Sequence, residues 1–343
     1  MKIKFLLFAD FHYKKPMYAS TVTDLTQIIW RAAANNAECM VHLGDFSNDY
    51  KGSPELFSVL YSNPFAIPCY GVYGNHELET VGNTMQVVTP KLLSAPDNVI
   101  FGTADGKIGD GSVAYYHFDR GDFRFIFTDT NYSLSPAGEW EHNKEGSWGP
   151  PKDNAHANSL GPAQLAWLEK TVTDCAEKGK TALVFGHAGF SPRYPHSDAE
   201  AVRAIFARAN ALRPKTVLMV CNGHYHTNHA DVADGILYLD VNTVRNTYWK
   251  PTNEYHYAPT DTYYRPDYAA DGTPLGIHEV AYNDLWQSKN TWFTHDPLSA
   301  VVTVDTDGEI TIDGTKSSWV ADIAPETDED GVMPEISNWH FAL

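Results

Sequence analysis

An α/β fold built around a parallel sheet is what this 343-residue sequence predicts. Two observations carry the prediction. From Ile3 to Asn75, continuous apolar runs alternate with segments of helical periodicity, the pattern of βαβ units. Each run then stops at a polar cluster containing Gly, Asp, Asn or His, as expected where parallel strands end at a ligand site.

Ile3–Ala9 is apolar except for Lys4 and reads as a buried strand. Thr21–Ala37 places Val22, Leu25, Ile28, Ile29 and Ala32 at helical spacing. Cys39–Leu43 and Pro68–Val72 are the second and third strands, with a short helix at Pro54–Leu60 between them. Val113–Phe118 and Phe123–Thr128 flank Asp119-Arg120-Gly121-Asp122, a hairpin signal. Residues 131–160 lack periodicity and read as a long loop. Pro162–Glu177 is an amphipathic helix and Asp198–Ala209 is helical, with strands at Thr181–Phe185 and Thr216–Val220. Short strands follow at His229–Val232 and Ile236–Val241. Residues 245–298 are aromatic and irregular, which in a compact domain points to a functional segment or a strap. A hairpin is expected over Ala300–Val304 and Glu309–Ile312. The expected organisation is one domain over 1–314, with a C-terminal tail, 315–343, packed on it.

Composition narrows the function. Hydrophobic residues at 43% and charged residues at 20% are ordinary for a globular protein. No apolar run approaches the length of a membrane span, and Phe5–Ala9 is too short for a signal-peptide core, so a cytoplasmic, membrane-free protein is expected. The formal net charge of −18, with no Lys/Arg cluster, argues against a nucleic-acid partner. The four cysteines form no CxxC pair and are expected to be buried free thiols.

Five polar clusters follow strands: Asp10-Phe11-His12, Gly44-Asp45-Phe46-Ser47-Asn48, Gly74-Asn75-His76-Glu77, Gly186-His187 and Gly223-His224-Tyr225-His226. Imidazole with carboxylate suits Mn, Fe or Zn. Seven candidate ligands are too many for one ion, whereas two ions sharing a carboxylate would use them all. Two adjacent metals are the arrangement that activates water and clamps a phosphoryl group. The pair in Gly-His-x-His is expected to share one face of an extended chain.

This ordered set, Asp-x-His, Gly-Asp-x-x-Asn, Gly-Asn-His-Glu, Gly-His and Gly-His-x-His, resembles the calcineurin-like metallophosphoesterase superfamily from Asp10 to His226. The resemblance implies a two-sheet β-sandwich flanked by helices, in four α/β/β/α layers. It implies one metal held by Asp10, His12, Asp45 and His226, and a second held by Asp45, Asn75, His187 and His224. Asp45 would bridge them, His76 would face the substrate without ligating, and Glu77 would orient its neighbours. Having His12 in the first motif and Asn48 after Gly-Asp separates the chain from purple acid phosphatases. The pattern is closer to class III cyclic nucleotide phosphodiesterases.

The expected activity is hydrolysis of a small-molecule phosphate ester by in-line attack of a metal-bridging hydroxide, with His76 as the acid. The expected cofactors are two divalent or mixed-valence ions. Two divalent ions, two aspartates and a hydroxide leave a positive site that attracts a phosphate ester despite the acidic chain. Arg193, Arg245 and Asn48 are candidate substrate contacts, and 131–160 and 245–298 are candidate pocket walls. A nuclease, which needs a basic groove, and a non-catalytic module, which would have lost ligands, are the alternatives.

Overall fold

The structure is a computed structural model that describes residues 1–12, 18–47, 59–78, 99–102, 113–143, 158–249, 261–269, 273–282, 291–320 and 333–343. Two large sheets face each other. The first has six strands. Its parallel half comprises β1 (Lys2–Phe8), β2 (Cys39–His42) and β3 (Cys69–Gly71). Its antiparallel half comprises β17 (Ala300–Asp305), β18 (Glu309–Gly314) and β19 (Trp339–Ala342), with β17 beside β1.

The second sheet has seven strands. They run in the order β11 (His229–Ala233), β12 (Ile236–Asp240), β10 (Val217–Asn222), β9 (Thr181–Gly186), β6 (Phe123–Phe127), β5 (Tyr116–Arg120) and β4 (Ile100–Phe101). Its four central strands, from β12 to β6, are parallel.

Strand periodicity decides which side chains meet. On β9, Leu183 and Phe185 enter the core between the sheets, while Ala182 and Val184 face the second core. On β12, Leu237 and Leu239 face inward, while Ile236 and Tyr238 face outward. This period of two on both faces makes the runs continuously apolar. Phe5 of β1 meets Phe125 and Phe185 edge-on across the gap, at centroid distances of 5.5 and 5.7 Å. Helix α1 (Tyr18–Ala34) adds Leu25, Ile28 and Ile29 to this core from the side of the first sheet. Helices α2 (Gly161–Glu177) and α3 (Ala199–Leu212) cover the outer face of the second sheet with Trp167, Leu168, Val172, Val202 and Phe206. The layers are therefore α/β/β/α. No described helix is long and apolar enough to cross a membrane. All four cysteines are buried and free.

Two stretches differ from their sequence reading. Segment 131–160 contains a short hairpin, β7 (Tyr132–Leu134) with β8 (Trp140–His142). Segment 245–298 contains β13 (Asn246–Trp249) paired with β16 (Thr291–Phe293), and a long hairpin of β14 (Asp261–Tyr268) with β15 (Pro274–Tyr282). These strands form two-stranded ribbons apart from the large sheets.

Candidate metal centre

The strand ends of both sheets meet at one place. β1, β2 and β3 deliver Asp10 and His12, Asp45, and Asn75, while β9 and β10 deliver His187, and His224 and His226. The clusters thus come from facing edges of two sheets, not from one sheet edge as the strand pattern suggests. Five of these residues have left-handed backbones: Asp10 (φ 51°), His12 (φ 48°), Asp45 (φ 48°), His224 (φ 69°) and His226 (φ 53°). Side chains other than Gly adopt this region rarely, and it persists where the surroundings over-determine it. Here the chain is pinned by bonds from Asp10 N to Gly44 O (3.1 Å) and from His12 N to Asp45 O (2.8 Å). Two glycines give the carboxylates room. A Cβ on Gly74 would fall on Oδ1 of Asp45, and one on Gly223 would fall on Oδ2 of Asp10.

The side chains converge in two groups around Asp45. In one, His226 Nε2 lies 3.4 Å from Asp10 Oδ1 and 3.1 Å from His12 Nε2, which is 3.8 Å from Asp45 Oδ2. In the other, His187 Nε2 lies 3.2 Å from Asp45 Oδ2, 3.1 Å from Asn75 Oδ1 and 3.2 Å from His224 Nδ1. His76 Nε2 is 4.0 Å from Asp45 Oδ2, and its ring meets His12 edge-on at 4.9 Å. Asp10, His12 and His226, and likewise Asp45, His187 and His224, each place their donor atoms within 4.8 Å of one another; so do His12, Asp45 and His76. His224 and His226 do not share one extended face. Both lie beyond β10 in turns, and they serve different groups.

The donor chemistry fits divalent ions. Two imidazole nitrogens face each other at 3.1 Å between carboxylates, close enough for one cation to be bound by both. Burial holds His12 down at about 3 and His224 at about 4, so both stay neutral, the ligating form. Burial also opposes charge on His187, yet the Asp45 carboxylate overrides it and lifts His187 to about 10. Despite its burial, Asp45 is held well below the usual carboxylate range by His187 and His76. This pairing of a buried imidazole with a buried carboxylate is a donor set that a divalent cation would suit. His187 Nδ1 donates to Leu43 O at 2.7 Å, which turns Nε2 toward Asp45.

Glu77 is fully buried and accepts N–H groups from Asp45 (3.0 Å), Phe46 (2.6 Å), Ser47 (3.3 Å) and Gly74 (2.5 Å). It ties the Asp45 turn to the Asn75 turn. Burial and the Asp45 charge lift it to about 7.

The three candidate substrate contacts fare differently. Arg193 is exposed in the loop after β9. Arg245 is buried, and its guanidinium is bonded to Asp24 Oδ2 (3.4 Å) and twice to Thr294 O (3.2 and 2.9 Å). That fork is engaged inside the protein. Asn48 lies outside the described residues. A sixth polar cluster on the same edge escaped the sequence reading. Thr128-Asp129-Thr130-Asn131 follows β6, and each residue is at most 1% exposed. Its signal was an apolar strand ending in polar residues, as at the other five, but without Gly or His.

The calcineurin-like phosphoesterase family profile matches residues 3–228, well over half of the sequence and the stretch in which all seven candidate ligands lie. This chain belongs to that family. The fold agrees with that of one solved structure. A dimetal phosphatase from Danio rerio is 17% identical with a TM-score of 0.56, over 93% of this chain and 98% of its own. A putative 5'-nucleotidase from Staphylococcus aureus is 14% identical with a TM-score of 0.45, over 96% of this chain and 57% of its own. Among curated proteins, none matches the chain. Phosphoester hydrolysis with divalent metals is the chemistry of this family.

Proposed function

We propose that the chain is a binuclear hydrolase of small-molecule phosphate mono- or diesters. The observation that carries this reading is the convergence of two donor groups on one carboxylate, Asp45. Asp10, His12, Asp45 and His226 would hold one ion, and Asp45, Asn75, His187 and His224 the other. Bound there, the ions would supply a water acidic enough to ionise near neutral pH and positive charge for the phosphoryl oxygens. Mn, Fe and Zn all suit nitrogen–oxygen donors.

The protein's own part is positioning. Glu77 fixes the backbone on which Asp45 and Asn75 stand, and the Leu43 carbonyl fixes the His187 tautomer. His76 is assigned to the substrate. Its Nε2 stands 4.0 Å from Asp45 Oδ2, and each ion would have four donors without it. From that place it would protonate the leaving oxygen.

The test is metal analysis of the purified protein followed by Mn²⁺-supported assays on phosphate mono- and diesters. About two ions per chain and chelator-sensitive hydrolysis are expected. A metal-replete protein inert on every ester would instead favour a non-catalytic module.

A further inference from the structure

We propose that the end of β6 is a brace that sets the affinity of one metal position without touching the metal. This rests on the binuclear reading above. The position is the one assigned to Asp45, Asn75, His187 and His224, whose two loops come from different sheets. Thr128, Asp129, Thr130 and Asn131 lie behind those loops and bond to both.

On the His187 side, Thr130 Oγ1 accepts the N–H of Ala188 at 3.2 Å, one residue past His187. Thr128 Oγ1 donates to Phe185 O at 3.1 Å, two residues before it. On the Asn75 side, Asn131 Nδ2 donates to Tyr73 O and Gly74 O at 3.3 and 3.4 Å. Asp129 makes the brace stiff. Its Oδ1 accepts the backbone N–H and Nδ2 of Asn131, both at 3.0 Å. Its Oδ2 meets His142 Nε2 of β8 at 2.9 Å. Gln164 of α2 grips its backbone, taking the N–H and donating to the carbonyl, both at 2.8 Å.

These groups are out of water, so each bond is costly to leave unmade, and the network holds its geometry tightly. The two loops it joins meet at 3.1 Å, where His187 Nε2 faces Asn75 Oδ1. Among the described residues, the bonds of this cluster do not reach Asp10, His12 or His226. Asp10 is held instead by the His224 N–H and by Thr243 Oγ1, which donates to its carbonyl. The brace therefore acts on one metal position. Merely structural residues would not discriminate between the two.

The experiment titrates metal-free protein with Mn²⁺ by calorimetry, in the parent, Thr130→Val, Thr130→Ser and Asn131→Ala. Circular dichroism melts establish that each is folded. Val keeps the shape of Thr but loses Oγ1, and Ser keeps Oγ1. Outer groups that orient ligands are worth about 10–100-fold in metal affinity. Thr130→Val and Asn131→Ala are expected to weaken one of two Mn²⁺ sites by that range and spare the other, while Ser restores it. In an Asn75→Ala background, Thr130→Val is expected to leave the remaining site unchanged. Two unaltered sites in both variants, equal weakening of both sites, or a Ser variant no better than Val would each overturn the brace. A parent that binds no Mn²⁺ overturns the binuclear reading and the brace with it. That result is distinguishable from the brace's own failure, in which the parent binds two ions and the variants match it.

Discussion

A carboxylate that accepts four backbone N–H groups has little left to offer an ion, and this separates Glu77 from its neighbours in Gly-Asn-His-Glu. Glu77→Ala would strand those donors in the interior, at about 1–3 kcal/mol for each one left unpaired. A lower urea midpoint and loss of bound metal are expected; an unchanged midpoint would mean that the turns hold without it. His76→Ala is expected to behave in the opposite way. Metal content should stay intact while turnover drops roughly 10²–10⁴-fold, the range for a positioned acid. Metal loss in that variant would make His76 a ligand, the role its proximity to His12 and Asp45 also permits. Residue identity singled out the seven candidate ligands in the sequence, and the structure brings those side chains together. Their backbone was not legible: nothing in Asp10, His12 or Asp45 announces a left-handed conformation, because tertiary bonds to neighbouring strand ends impose it. Nor was the engagement of Arg245, whose partners Asp24 and Thr294 are distant in sequence.

Elements follow the same division between local and imposed structure. β1, β2, β9 and β10 were legible because burial on both faces makes them continuously apolar. β14 and β15 were not. Asp261-Thr-Tyr-Tyr-Arg-Pro-Asp-Tyr carries no clean alternation, and Pro266 argues against a central strand. A two-stranded ribbon has no central strand, so the proline is accommodated opposite Ile277. β19 is a four-residue edge strand half open to solvent and leaves only a faint pattern. Because, among the described residues, β14 and β15 pair only with each other, replacing 261–282 by a short Gly/Ser linker should spare both large sheets. If this ribbon walls the substrate pocket, relative rates across a panel of phosphate esters will change while metal content does not. Unchanged relative rates would reduce the ribbon to a strap.

At the scale of the whole molecule, the buried and half-buried histidines outside the candidate ligand set give stability a direction with pH. Burial drives His42 to about 3, His196 to about 3 and His117 to about 4, from an ordinary value of 6.5. Between pH 6.5 and those values the unfolded chain binds these protons and the native protein does not. Stability therefore falls as pH drops through that window. His142 works the other way. Although burial opposes its charge, Asp129 raises it, so its contribution is complete below 6.5 and is lost as pH rises above that. Three groups against one make acid the damaging direction. His42 isolates the effect. It is 1% exposed, both ring nitrogens lack hydrogen-bond partners, and Phe8 and Phe46 pack around it. His42→Leu removes the titration and leaves an apolar side chain in apolar surroundings. Comparing parent with variant cancels the groups that do not interact with His42. Urea midpoints at pH 7.5, 6.5 and 5.5 should show the parent losing about 1.4 kcal/mol per pH unit more than the variant below pH 6.5. Parallel curves for the two proteins would mean that His42 takes up its proton in the native state as readily as in the unfolded chain.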